Sequence, residues 1–144
     1  MIGGGKMEIK KCGIDDAEKL AALNRELIED EKSENAMTLH ELCERMKSFL
    51  AGNYDAYFFF EGGELAGYAL VDATQNPPYI RQFFIVRGMR HRGLGEKAFR
   101  ILKETLRADV LELDVLPWNE RGMKFWQKMG FKEAHYRLRL EQGE

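Results

Sequence analysis

Residues 83–99, FFIVRGMRHRGLGEKAF, set an apolar β-type run against Arg87, Arg90 and Arg92, then place Gly93 and Gly95 at a helix start. The first turn of a helix leaves its backbone N–H groups unpaired and carries about half a positive charge. Three guanidinium groups beside those amides make the composition of an anion site, with planar donors suited to phosphate oxygens. A glycine has no Cβ, so a phosphate could come close to the backbone there. The same residues also describe a glycine turn beside a solvated arginine face, so the flanking sequence has to decide between the two.

Upstream of this stretch, YIRQFFIV from Tyr79 reads as a strand that begins after the Pro77-Pro78 break. Downstream, Leu94, Ala98, Ile101, Leu102 and Leu106 follow helical spacing, and VLELDVL alternates apolar with acidic residues until Pro117 stops it. Strand, helix and strand from Tyr79 to Val115 make one parallel crossover. Before it, MEIKKC at Met7–Cys12 reads as a first strand. Ala17, Leu20, Leu23, Leu27 and Ile28 lie on one face of a helix whose start carries Asp15 and Glu18 as a capping pair. Thr38 and Glu41 form a second capping box ahead of the stripe Leu39, Leu42, Cys43, Met46, Phe49 and Leu50. Tyr54–Phe60 and Leu65–Val71 flank EGGE as a hairpin, and the run Tyr57–Phe60 is simplest as core. Asn119 can cap a short helix through Met129, Gly130 suits the position past its end, and FKEAHYRLRL closes the chain as a strand or two. The expected fold is α/β, in the order β-α-α-β-β-β-α-β-α-β, with antiparallel strands first and the crossover after them.

With 144 residues the chain is expected to form one domain over residues 7–144, burying roughly 70% of its unfolded surface. MIGGGK, residues 1–6, reads as a flexible tail or cloning remnant. A composition of 44% apolar and 32% charged residues is that of a globular chain, and a net charge of −2 argues against a general nucleic-acid binder. Any phosphate-binding basicity is therefore local. There is no signal-peptide pattern and no apolar run long enough to span a membrane. Cys12 and Cys43 have neither metal-ligand nor redox spacing and read as thiols of a reducing cytoplasm. His40, His91 and His135 are scattered, which supports neither a metal site nor a hydrolase triad.

Three anionic ligands compete for the glycine turn. A mononucleotide loop has Lys and Ser or Thr after its last glycine, where this chain has Leu94 and Gly95, so the phosphate-gripping ammonium and the magnesium-binding hydroxyl are both missing. GLGEKA fits the dinucleotide pattern GxGxxA, with Asp114 on the next strand; yet RGMRHR intervenes between strand and glycine, and little chain remains for further βα units. The third ligand is an acyl-coenzyme A. Arg90-His91-Arg92-Gly93-Leu94-Gly95 resembles the [QR]-x-x-G-x-[GA] pyrophosphate loop of the GNAT superfamily of N-acetyltransferases. IRQFFIV sits where that family has the strand paired with the pantetheine arm. NERGMKFWQKMGF resembles its N-x-x-A-x-x-[YF]-Y-x-K-x-G-F segment, and the order of elements agrees from Met7 onward.

The resemblance implies an acetyl-CoA-dependent N-acetyltransferase without a metal, acting on the primary amine of a small molecule or peptide by direct transfer through a tetrahedral intermediate. Its strands Tyr79–Val86 and Val110–Val115 would splay apart to admit the pantetheine. Main-chain groups near Phe84, Ile85 and Val86 would bind that arm, and an amide near Phe84 or Ile85 would stabilise the oxyanion. Amides from Arg90, His91, Arg92, Gly93, Leu94 and Gly95 would hold the pyrophosphate, with Asn119 at the mouth and Trp126 walling the acyl pocket. The family's usual base and acid positions hold Arg81-Gln82 and Trp126, none of which moves a proton at neutral pH, so the catalytic residues are not assigned. Asp30 and Glu31 could attract a cationic amine, and Glu112 and Asp114 could act as bases through water. The empty acid/base positions leave a non-catalytic acyl-CoA-binding domain as the alternative, with an NAD-binding protein more distant. The closing β segment leaves room for a homodimer.

Overall fold

The computed structural model describes residues 6–143, so the expected tail at 1–6 lies, apart from Lys6, outside the described residues. Strands β1 (Met7–Lys11), β2 (Tyr54–Glu61), β3 (Glu64–Asp72), β4 (Tyr79–Ile85) and β5 (Glu112–Leu113) form one sheet in that order. Pairings β1–β2, β2–β3 and β3–β4 are antiparallel and β4–β5 is parallel, the mixed arrangement expected of the chain. Helices α1 (Ala17–Asp30) and α2 (Leu39–Ala51) cover one face, and α3 (Leu94–Leu106) and α4 (Glu120–Lys128) the other.

Successive strand residues feed opposite faces. Tyr57, Phe59, Ala69 and Val71 pack with Leu94, Ala98, Phe99 and Leu102 of α3. Their neighbours Ala56, Phe58, Tyr68 and Leu70 pack with Leu20, Leu23, Leu27 and Met46 of α1 and α2. Burial on both faces explains why β2 and β3 read as nearly continuous apolar runs. The capping box of α2 forms as read: Glu41 N–H donates to Thr38 Oγ1 at 3.1 Å and Thr38 N–H to Glu41 Oε1 at 2.9 Å. The Asp15–Glu18 pair at α1 does not form. A 3-10 turn at Ile14–Asp16 delays the helix by one residue, and the Asp16 carboxylate accepts from Gly13 N–H at 2.9 Å instead.

β4 and β5 decide the shape of the site. Only Tyr79↔Glu112 and Ile80↔Leu113 pair, so among the described residues the outer edge of β4 from Arg81 to Ile85 has no neighbouring strand. The register of β3 against β4 steps from Leu70↔Gln82 to Val71↔Ile80, which makes Arg81 the extra residue of a bulge. The bulge bends β4 at the point where parallel pairing stops.

The expectation of a closing strand also fails. FKEAHYRLRL forms no strand among the described residues. An extended segment persists as a strand only against partner backbone, and β5, two residues long, offers little. Tyr136, Leu138 and Leu140 accordingly stand exposed.

Candidate active site

Past the point where pairing with β5 stops, β4 borders a cavity of about 470 Å³. Its floor is Phe83, Phe84 and Ile85; its remaining walls come from the end of α1, the turn before α3 with that helix's first residues, and α4. Of the residues singled out from the sequence, Asp30, Glu31, Phe84, Ile85, Arg90, His91, Gly93, Leu94, Gly95, Asn119 and Trp126 line it. Val86, packed against both core layers, and the exposed Arg92 are not part of the lining.

Backbone accounting shows which strand groups face the opening. Val86 N–H donates to Ala66 O at 2.8 Å, and a Cβ on Gly67 would lie 2.0 Å from Phe84 O, so Phe84 and Val86 turn their main chain toward β3. With the strand period of two, Phe83 and Ile85 turn theirs outward. Three consecutive residues were expected to offer main-chain groups; the pleat leaves Ile85 and, in place of Phe84, Phe83. The Ile85 carbonyl is already engaged, accepting from Arg90 Nε at 2.9 Å.

The turn carries two residues in the left-handed region, His91 (φ 62°) and Gly93 (φ 71°), and Gly93 is the N-cap of α3. Such turns collect N–H groups into a concave anion seat. The first helical bond is Lys97 N–H to Gly93 O at 3.3 Å, so the amides before it are those that helix geometry leaves over. The two glycines play different parts. A Cβ at Gly93 would meet nothing within 4 Å, whereas one at Gly95 would stand 2.9 Å from Phe125 Cε1. Gly95 is required for packing α3 against α4, and Gly93 for the bend and the open approach.

Arg90 does not offer its side chain to a ligand. Its guanidinium grips Asp30 twice, Nη2–Oδ2 at 2.8 Å and Nη1–Oδ1 at 3.1 Å, with only 12% of the side chain exposed. Arg87 and Arg121 stand 3.5 and 3.7 Å from the same carboxylate. Asp30, expected to draw in an amine, is thus neutralised by arginines and ties the end of α1 to the turn. Asp30→Ala would leave Arg90 charged and largely buried. We expect a loss of about 3 kcal/mol, read as a fall in Tm of roughly 10 °C in a thermal melt.

Glu31 has the opposite environment. It faces the same cavity, and its carboxylate makes no ion pair or hydrogen bond among the described residues; its carbonyl accepts from Trp118 Nε1 at 2.9 Å. Burial first and the neighbouring Asp30 charge second push its pKa above the ordinary 4.5. Glu112 and Asp114 are not brought to the cavity, and Asp114 accepts from Tyr79 Oη at 2.7 Å. Gln82 is buried, accepting from Tyr68 Oη at 2.8 Å, and Arg81 points out over Phe49. Trp126 sits among Phe83, Phe99, Phe125 and Phe131, with ring centroids 4.7–5.6 Å away, so it is both core and cavity wall. Asn119 likewise serves twice: its Oδ1 caps α4 from Gly122 N–H at 3.0 Å, and it lines the mouth. Burial also raises the Cys12 thiol to about 12, which rules out a thiolate nucleophile there. Phe83, Phe125 and Leu27 were not singled out from the sequence as site residues; nothing local separates them from ordinary core.

A dinucleotide reading does not survive this geometry. The sheet has one parallel pair, and Asp114 is bound to Tyr79. Among the described residues no helix is long and apolar enough to cross a membrane.

The sequence profile described as the acetyltransferase (GNAT) family matches residues 18–131. Solved structures share the architecture. A predicted acetyltransferase with acetyl-CoA from Clostridium acetobutylicum superposes with a TM-score of 0.72 at 17% identity, covering 94% of this chain and 96% of that one. A ribosomal-protein-alanine N-acetyltransferase from Brucella melitensis gives 0.70 at 15% identity, with coverage of 94% and 100%. An aminoglycoside N-acetyltransferase in complex with CoA gives 0.72 at 16% identity, with coverage of 98% and 97%. At such identities the likeness is one of fold. None of the curated proteins compared matches the chain.

Proposed function

The chain belongs to the acetyltransferase (GNAT) family, and on that premise we propose that it transfers an acetyl group from acetyl-CoA directly to a primary amine. The observation that carries this reading is the unpaired outer edge of β4, which runs from the Phe83 and Ile85 amides into the leftover N–H groups before Lys97. The amides from His91 to Gly95 would hold the pyrophosphate, with the exposed Arg92 beside them; the Arg90 N–H, also expected there, already donates to Arg87 O at 3.3 Å. Ile85 N–H would hold the pantetheine, Asn119 and Trp126 its flanks. Acetyl-CoA supplies an activated thioester, and the Phe83 amide would donate to its oxygen as negative charge develops there.

A primary amine of lysine type has a pKa near 10.4, so attack on the thioester needs a proton acceptor. Glu31 takes that role in this reading. It is the carboxylate on the cavity wall that no cation among the described residues neutralises, and it can receive the amine proton directly or through one water. The amine lone pair forms the new C–N bond, the C–S bond breaks, and the CoA thiolate is protonated from water. Alignment of amine and thioester supplies much of the remaining rate.

The test is release of free CoA thiol from acetyl-CoA with a panel of primary amines. Saturable release with at least one amine is expected. Saturable acetyl-CoA binding with no release across the panel would replace the enzyme with a non-catalytic acyl-CoA-binding domain. Two thiols without disulfide partners favour a reducing compartment, the cytoplasm. The exposed alternation Tyr136, Leu138 and Leu140 supports a homodimer formed through that segment, and light scattering should return twice the monomer mass.

A further inference from the structure

A second polar cluster lies on the α1/α2 face of β4, outside the cavity lining. Arg81, turned out by the bulge, holds its guanidinium carbon over the Phe49 ring at 4.8 Å and over the Tyr54 ring at 5.9 Å from their centroids. Arg45 of α2 lies over the same Phe49 ring at 5.3 Å. Two cations therefore share one aromatic ring, and among the described residues neither forms an ion pair, in contrast to Arg87, Arg90, Arg100 and Arg121. The hydrogen-bonding side chains around Arg45 are neutral. Arg45 Nη2 donates to Asn24 Oδ1 at 3.0 Å, and Tyr68 donates to Gln82. Arg45 Nε is buried and makes no hydrogen bond. An unpaired buried donor beside a second guanidinium costs stability that the fold itself does not recover. Burial, and after it the Arg81 charge, pull the Arg45 pKa down, the direction expected of a pair lacking an anion.

The cluster is joined to the reaction site by β4 itself. Arg81 precedes Phe83 by two residues and Ile85 by four, roughly 7–13 Å along a strand. The buried Tyr68 hydroxyl feels the charges of both Glu31 and Arg45.

We propose that Arg45 and Arg81 bind an oxyanion carried by the acceptor, so that the amine acetylated here belongs to a molecule with a carboxylate or phosphate roughly 7–13 Å from the reacting nitrogen. Glu31 then meets the amine and the arginine pair meets the anion, which selects zwitterions over polycations. Two planar guanidinium groups on one ring suit an oxyanion, and their unshielded charge repels polyamines and aminoglycosides.

This rests on the transfer reading for its amine end, so the experiment separates the two. CoA release is measured with ω-amino carboxylates from 4-aminobutanoate to 8-aminooctanoate, with the matching carboxamides, with an aminoalkyl phosphate, and with spermidine. In parallel, calorimetry follows binding of 6-aminohexanoate and its carboxamide to the CoA-loaded protein. Acids are expected to exceed their carboxamides by about tenfold or more in kcat/KM, mostly through KM, the size of a charge-assisted hydrogen bond. The phosphate arm tells which oxyanion is preferred. Arg81→Gln, at an exposed position, should bring the acid-to-carboxamide ratio near one, and Arg81→Lys should restore part of it. Release with equal ratios for acid and carboxamide, or with spermidine preferred, overturns the anion site and leaves transfer standing. Selective binding of the acid with no release in any arm sustains the anion site and sinks transfer. No selective binding and no release overturns both.

Discussion

Gly93→Val is expected to abolish measurable acetyl-CoA binding, raising Kd by about 100-fold or more in calorimetry, a loss of at least 2.7 kcal/mol. The residue holds φ 71° at the N-cap of α3, and a β-branched side chain resists that conformation. Its Cβ would meet no protein atom within 4 Å, so the added bulk enters the space from which an anion approaches the amides. Strain of about 1–2 kcal/mol should lower Tm by only about 5 °C, leaving a folded protein that does not bind. Gly93→Ala, with less bulk and the same sign of strain, should fall between. Unchanged affinity in the valine variant would remove the turn from the binding site. At Gly95 the order of effects reverses: a side chain there collides with Phe125, so stability falls first.

Glu31→Gln is expected to lower kcat/KM about 10²–10³-fold, the span of general-base catalysis. In the parent protein the working form is the carboxylate, whose pKa is raised by burial and by Asp30, so activity should decline as pH falls through a value above the usual 4.5. The variant should lose that limb of the profile. Stability should move the other way. A carboxyl with a raised folded pKa binds its proton more tightly in the fold. Its contribution is complete below the unfolded value and is lost as pH rises through the folded one. At neutral pH the ionised Glu31 therefore burdens the fold, and Glu31→Gln should raise Tm there, with the gain vanishing in acid. A structural carboxylate would show loss of both; unaltered kcat/KM with the limb retained would remove Glu31 from the chemistry.

The contrast between Asp30 and Glu31 marks the reach of one-dimensional reading. Adjacent in EDEKSEN, they look interchangeable, yet one is clamped by Arg90 and the other, on the cavity wall, has no ion pair among the described residues. Arg90 itself came from a turn 60 residues away, and its charge, which looked like part of the anion site, is used to hold Asp30. No spacing rule reports such a pairing, because it depends on how α1 ends against the turn. The same holds for Gly95, whose need for a bare Cα is set by Phe125 on another helix.

What the sequence determined unaided is whatever depends on neighbours along the chain: the Thr38 cap, the Asn119 cap, the Gly62-Gly63 hairpin, the crossover, and the glycine turn with its leftover amides. These follow from backbone chemistry repeated every two or four residues. Tertiary structure alone decided which of the two carboxylates Arg90 clamps, which way the pleat turns Phe83 and Ile85, how the Arg81 bulge re-aims its side chain toward the ring it shares with Arg45, and that FKEAHYRLRL pairs with no strand among the described residues. Charge neutralisation and ladder pairing are contests among groups far apart in sequence, and the winner is set by distance in space.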